Sequence, residues 1–293
     1  MGLPVRLVFY ASDEAAALRA ATSAFARIAA LDRAMSDYRP DSEINDIARR
    51  APAAVPASPD VFRVVARAIE IARDTDGAFD PTVAPLVALW RDARATGRLP
   101  SRAARDRARA VTGWRAVALD TARQTIRLTT PGMRLDLGGV AKGYILQAAL
   151  DVLRGVGIRA ALVEAGGDIV AGDAPPGAAG WRIELGAKVE PEKKTSGIFF
   201  AGKDSRRLSF LSNAALATSG PAAQFVDIDG VRYSHVVDPR TGWALTSIVT
   251  AHVIASDAAL ADALATAATV VGRSGLEGLR ARFPQARIEL ELR

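Results

Sequence analysis

Apolar residues recur every three or four positions through DEAAALRAATSAFARIAALDRAM, residues 13–35, which is the spacing of one helical face, with Asp13 at its start. VRLVFY before it reads as a strand, and SDYRPDSEINDIARRAPAAVP after it breaks the helix. Ser58-Pro59-Asp60 opens a second helix, VFRVVARAIEIARDTDG, which Gly77 stops. FDPTVAPLVALW reads as a compact loop and a short helix, followed by a charged stretch near residues 91–110. WRAVALD, TIRLTT and MRLDLGG have the length and composition of short strands, AKGYILQAALDVLRGVG of a helix, and ALVEAGGDIVAG of a buried strand with a glycine break.

WRIELG and LSFLSNAALATSG are expected as strands flanking a polar insertion, residues 186–207, whose lysines and glycine suggest an exposed hairpin or loop. VDIDGVRYSHVVD and SIVTAHVIA are strand-like, DAALADALATAATVVG is a helix of small residues, and GLEGLRARFPQARIELEL is a helix and a final strand. Helices and antiparallel-looking strands intermix without strict alternation, and no repeat or linker divides the chain. The expectation is an α+β fold forming a single compact unit over residues 1–293.

Composition narrows the chemistry. The chain has 293 residues, 49% of them hydrophobic, enough for a substantial core. With no cysteine, disulfides, thiol nucleophiles and cysteine metal sites are excluded. The formal net charge is +6, from 38 basic residues against 32 acidic ones. These read as spread along alanine-rich helices, solvated faces without a nucleic-acid partner, whose mild positive field helps attract a phosphate-bearing ligand. No run is long and apolar enough to span a membrane, and VRLVFYA is not an export signal. The chain as given is expected in the cytoplasm, or in the periplasm if a leader precedes it.

One segment stands out for catalysis. RYSHVVDPRTG places His235, one of only two histidines, three residues before Asp238 on a rigid turn, where an imidazole can act as a general base or serve a purely structural role. In LDLGGVAKGY, Gly138 and Gly139 permit close backbone approach where a strand gives way to a helix. Lys142 there offers a positive charge suited to phosphate, or is an ordinary surface lysine. Asp262 and Thr266, four apart on one helical face, present two hard oxygen ligands to one point, or else pack against a neighbour. Tyr38 could face an aromatic ring, Thr218 and Ser219 could donate to phosphate or ribose oxygens, and Asp80 could bind a ligand or cap a helix.

In this order MSDYRPDSEI, GAFDPTVAPLVALW, LDLGGVAKGY, VEAGGDIVAGD, ALATSG, RYSHVVDPRTG and ADALATAATVVG resemble the ApbE family of flavin transferases across almost the whole chain. The resemblance implies an α+β, T-fold-like arrangement of mixed sheets and packed helices, with FAD as substrate and Mg2+ as metal. It implies that FMN passes from FAD to a threonine hydroxyl of an acceptor flavoprotein of electron-transport or reductase type, with AMP released. Hydrolysis of FAD to FMN and AMP, or FAD binding without catalysis, are the alternatives.

On this resemblance His235, Lys142 and Asp238 are catalytic, with Asp238 either orienting the ring or capping the turn. Asp262, Thr266 and the carbonyl of Ala141 hold the metal. Tyr38, Ser42, Glu43, Asp80, Gly138, Gly139, Lys142, Glu164, Gly166, Gly167, Thr218, Ser219 and His235 surround the flavin nucleotide. Leu3, Gln147 and Pro221 stand where the family commonly has Thr, Asp and Asp.

Overall fold

A computed structural model describes residues 2–185, 207–220, 225–247 and 249–292. Strand β1 (Val5–Phe9) leads into α1 (Glu14–Met35), where Asp13 caps the helix by accepting from the Ala16 N–H at 2.8 Å. The stretch read only as a helix break contains α2 (Glu43–Arg49) and β2 (Ala54–Pro56). Two turns of helix are too short for a periodic signal to register. Helix α3 (Pro59–Asp74) starts at the Ser58 cap, and the chain turns beyond it at Gly77 with φ +72°. The charged stretch is itself helical, as α4 (Ala84–Thr96) and α5 (Arg102–Ala110).

After β3 (Val117–Asp120) and β4 (Thr125–Leu128) comes a correction. MRLDLGG is not a strand. It buries Met133, Leu135 and Leu137 in alternation, but its backbone joins no strand ladder: Asp136 N–H donates to the Pro81 carbonyl of a distant loop, and the Leu137 carbonyl accepts from Val140 N–H. Helix α6 (Ala141–Gly155) follows. ALVEAGGDIVAG is a hairpin rather than one broken strand: β5 (Ala161–Ala165) and β6 (Asp168–Ala171) pair through Gly166 and Gly167, with φ +58° and +91°.

The remaining elements are β7 (Trp181–Leu185), β8 (Arg207–Leu211), β9 (Ala214–Ser219), β10 (Phe225–Ile228), β11 (Val231–Ser234), β12 (Val249–Ala255), α7 (Ala258–Arg282) and β13 (Arg287–Leu292). LSFLSNAALATSG thus serves two sheets, splitting at Ser212 and Asn213. Apart from Arg207, the 186–207 insertion lies outside the described residues.

Six strands form one antiparallel sheet in the order β1-β5-β6-β9-β12-β13. Strand alternation divides its residues between two cores. Val163, Ala165, Val170, Ala217, Ala251 and Val253 face α6 and α7, while Leu162, Ile169 and Leu216 face the β7–β8 ribbon. A separate small core of Leu86, Trp90, Ile228 and Tyr233 joins α4 to the β10–β11 hairpin. Helices α6 and α7 approach so closely that a Cβ at Gly143 would overlap the Ala258 carbonyl, and this contact sets the site.

Candidate active site

The first turn of α6 meets the first turns of α7. Gly143 N–H donates to Oδ2 of Asp262 at 3.1 Å, and a Cβ at Gly139 would lie 2.9 Å from Oγ1 of Thr266. Ala141, the first residue of α6, is therefore drawn to the same place as the carboxylate and hydroxyl that sit one turn apart on α7. Among the described residues no group of three His, Asp or Glu side chains could hold a metal alone. A cation here rests on a mixed oxygen set, which suits a hard ion such as magnesium. Burial pushes the Asp262 carboxyl up to about 7, with Lys142 opposing that rise and Asp168 adding to it.

Lys142 has a carboxylate partner within the fold. Its Nζ forms an ion pair with Oδ2 of Asp168 at 2.7 Å, where β6 begins, and the Asp168 Oδ1 accepts from Thr218 N–H at 2.9 Å. Burial disfavours the ammonium, yet Asp168 and Asp262 outweigh it and hold its pKa above that of an ordinary lysine. Lys142 is thus a buried counter-ion for two carboxylates. Asp168, which the sequence reading did not single out, is its partner. The available signal was an acidic residue opening the wholly buried strand DIVA.

A cleft of about 270 Å³ opens beside this cluster and brings together Tyr38, Asp80, Gly138, Gly139, Ser219, His235 and Thr266. His235 follows β11, and the Trp90 indole N–H donates to the Gly242 carbonyl at 3.1 Å, bracing the turn beyond it. Positive charge reaches the cleft from Arg91 and Arg94 of α4, for which the sequence carried no motif. Arg91 pairs with Asp37 at 2.7 Å and Asp136 at 3.7 Å, and its guanidinium lies 4.3 Å from the ring centroid of Tyr38, which is 75% exposed. Burial and the nearby Asp37 raise the Asp136 carboxyl, which also accepts from the Gly138 N–H at 2.8 Å.

Several expected ligand residues have hydrogen-bond partners within the fold. Ser42 caps α2, accepting from Asn45 N–H at 3.3 Å, and the Glu43 carboxylate accepts from both the N–H and the hydroxyl of Ser58, tying α2 to the start of α3. Asp80 forms part of the cleft wall, but its carboxylate accepts from Thr82 N–H, Thr82 Oγ1 and Trp114 N–H; burial raises its pKa against those bonds. Both Asp238 oxygens engage Arg240, at 2.9 and 3.0 Å, so this carboxylate holds the Pro-Arg-Thr-Gly turn.

The Thr218 hydroxyl lies 3.1 Å from Nδ1 of His252, leaving Ser219 as the member of that pair on the cleft. Glu164 lies opposite Ile169 in the register, on the sheet face turned away from the helices, and burial raises its carboxyl. Gly166 and Gly167 make the β5–β6 turn.

The sequence model of the ApbE family matches residues 1–288. The chain belongs to the ApbE family. It is 30% identical over 97% of its length to an FAD:protein FMN transferase of Treponema pallidum, covering 80% of that protein. To one from Klebsiella pneumoniae it is 34% identical over 84% of its length, covering 72% of the relative. The crystal structure of an ApbE protein from Thermotoga maritima superimposes with a TM-score of 0.84 at 29% identity, covering 99% of this chain and 94% of that one. Flavin transferase ApbE from Vibrio cholerae gives the same TM-score at 27% identity, covering 99% and 90%.

The α+β architecture expected from the pattern is therefore an ApbE fold. Of the departures from the common ApbE pattern, Gln147 bonds Asp151 on the exposed side of α6, while a Cβ at Gly166 would lie 2.7 Å from the Leu3 side chain. Pro221 lies outside the described residues.

Proposed function

We propose that this protein transfers FMN from FAD to a threonine hydroxyl of an acceptor flavoprotein. The observation that carries the reading is the shared cleft. It places His235 from the β11 side and Thr266 from the α7 side around one volume, with the glycine backbone of residues 138 and 139 between them. A base and an oxygen-rich cation site flanking one cleft suit attack on a phosphoanhydride.

In this reaction the threonine Oγ forms a bond to the phosphorus of the FMN half, the P–O bond to the bridging oxygen breaks, and AMP leaves with that oxygen. His235 accepts the threonine proton. Arg91 and Arg94 oppose the charge of the phosphates from α4, Gly138 and Gly139 allow their close approach, and Tyr38 offers a flat aromatic surface. Asp262, Thr266 and the Ala141 carbonyl fit a magnesium ion, which would neutralise charge on phosphate oxygens when bound. Lys142 and Asp168 act beneath the site by fixing where Asp262 stands.

The test is incubation with FAD, Mg2+ and a threonine-bearing acceptor, followed by in-gel flavin fluorescence and AMP release. Fluorescence that survives denaturation, with stoichiometric AMP, is the expected result. AMP with free FMN alone would reassign the protein as an FAD hydrolase, and FAD binding without either product would make it a carrier.

A further inference from the structure

The net charge of this protein is concentrated in one place. Residues 91–115 contain eight arginines against Asp92 and Asp106, a local excess of six that equals the +6 of the whole chain, so the rest of the chain is formally balanced. The excess is not spread evenly over the helices, as composition suggested. It belongs to the α4–α5 lobe that adjoins the β10–β11 hairpin and the His235 side of the cleft.

Apart from Arg91, which pairs with Asp37 and Asp136, little of the charge on Arg98, Arg102, Arg105, Arg107, Arg109 and Arg115 is neutralised. Arg102 reaches Asp106 at 3.7 Å and Arg115 reaches Asp76 at 3.8 Å, both in exposed pairs that contribute little. Arg105 lies over the Trp243 ring at 3.7 Å, and Arg109 donates to the Arg240 carbonyl. Among the described residues no carboxylate lies within ion-pair distance of Arg98, Arg105, Arg107 or Arg109. The surface is also continuous with the site. A second pocket of about 250 Å³, lined by Arg109, Arg115 and Arg240, shares Asp80 and Pro239 with the cleft.

Resting on the transfer reaction proposed above, we infer that the α4–α5 arginines form the docking surface for the acceptor protein, which presents an acidic face beside its threonine. A threonine must enter beside His235, and a field confined to that rim captures and orients an anionic partner there rather than elsewhere on the molecule. A nucleic acid would meet the same charge. The position against a catalytic cleft, with the exposed aromatic Trp243 already covered by Arg105, favours a protein.

The probes are two forms of the acceptor's threonine segment, one followed by a run of Asp and one by a run of Asn. The acidic form is expected to show a kcat/KM roughly 10-fold or more higher at low salt, with the advantage lost as ionic strength screens it. Arg98→Glu with Arg102→Glu and Arg107→Glu should erase or invert this preference while leaving FAD affinity and the melting temperature close to those of the wild type. Arg19→Glu with Arg123→Glu and Arg159→Glu, which changes net charge equally elsewhere, should not.

Equal rates for the two segments at low salt, or equal losses in the two triple variants, would overturn the docking surface while leaving transfer itself intact. If the wild type modifies neither segment but duplex DNA binds with an affinity that the lobe variant abolishes, the lobe is a nucleic-acid site and the inference fails. Absence of any flavin transfer or AMP release would instead count against the proposed reaction.

Discussion

Lys142 and Asp168 form an ion pair at 2.7 Å, with only 19% and 3% of their side chains exposed. The pair joins the start of α6 to the start of β6 and stands beside Asp262. Removing one partner leaves an uncompensated buried charge, at a cost of about 3–5 kcal/mol. Asp168→Asn is therefore expected to destabilise the fold by that order. Lys142→Met should cost more, because two carboxylates then face each other, and Lys142→Met with Asp168→Asn should cost less than the sum of the two. Urea unfolding of the four proteins checks this, and additive losses would show that the pair is not coupled.

The raised carboxyl of Asp262 predicts a sign. The folded, metal-free protein keeps a proton there to about pH 7, whereas the unfolded chain releases it near 3.8, so the native state binds more protons between those values. This site therefore makes stability fall as pH rises through that window, by at most about 1.4 kcal/mol per unit. Bound magnesium favours the ionised form, and the gain in melting temperature on adding Mg2+ should be larger at pH 8 than at pH 5.5. A gain independent of pH would remove Asp262 from the metal site.

Gly143→Ala places a Cβ against the Ala258 carbonyl, a backbone atom that moves only if α6 and α7 separate. A loss of about 1–3 kcal/mol is expected, together with weaker Mg2+ binding by calorimetry, since the Gly143 bond to Asp262 is lengthened. Gly155→Ala at the other end of α6, where nothing lies within 4 Å, should instead be neutral or stabilising.

Glu43 separates a tether from a ligand. Glu43→Ala releases the Ser58 N–H and hydroxyl and is expected to cost about 1–2 kcal/mol with FAD affinity unchanged. Fluorescence titration of FAD against this variant decides it: a weakened Kd in a fully folded protein would return Glu43 to the nucleotide site.

His235→Ala should bind FAD as the wild type does and lose transfer by roughly 10²- to 10⁴-fold in kcat, the range for a missing general base. A rate unchanged in single-turnover measurements would move the proton to another acceptor.

Much of the fold was legible because its signals are local. The caps at Asp13 and Ser58 and the three-and-four periodicity act within one or two turns, so α1, α3 and α6 stood close to their expected bounds. The errors have separate causes. MRLDLGG alternates like a strand because one side of it is buried, but alternation reports burial and not pairing, and no neighbouring strand takes up its backbone. ALVEAGGDIVAG carried its turn openly in Gly166-Gly167, whose positive φ angles reverse the chain.

For the site, residue type and order along the chain nominated His235, Thr266, Ser219 and the Gly138-Gly139 pair, all of which line one cleft. They could not assign partners. Asp238 next to His235 in sequence serves Arg240, Lys142 next to the glycines serves Asp168, and Arg91, in no motif, enters the cleft from α4. The sequence by itself determined which elements form and which chemical groups are available, because propensity, capping and periodicity are short-range. Which carboxylate meets which cation was decided only by the tertiary structure, because an ion pair depends on a few ångströms of separation and on exclusion of water. Both follow from how α6, α7 and the sheet pack.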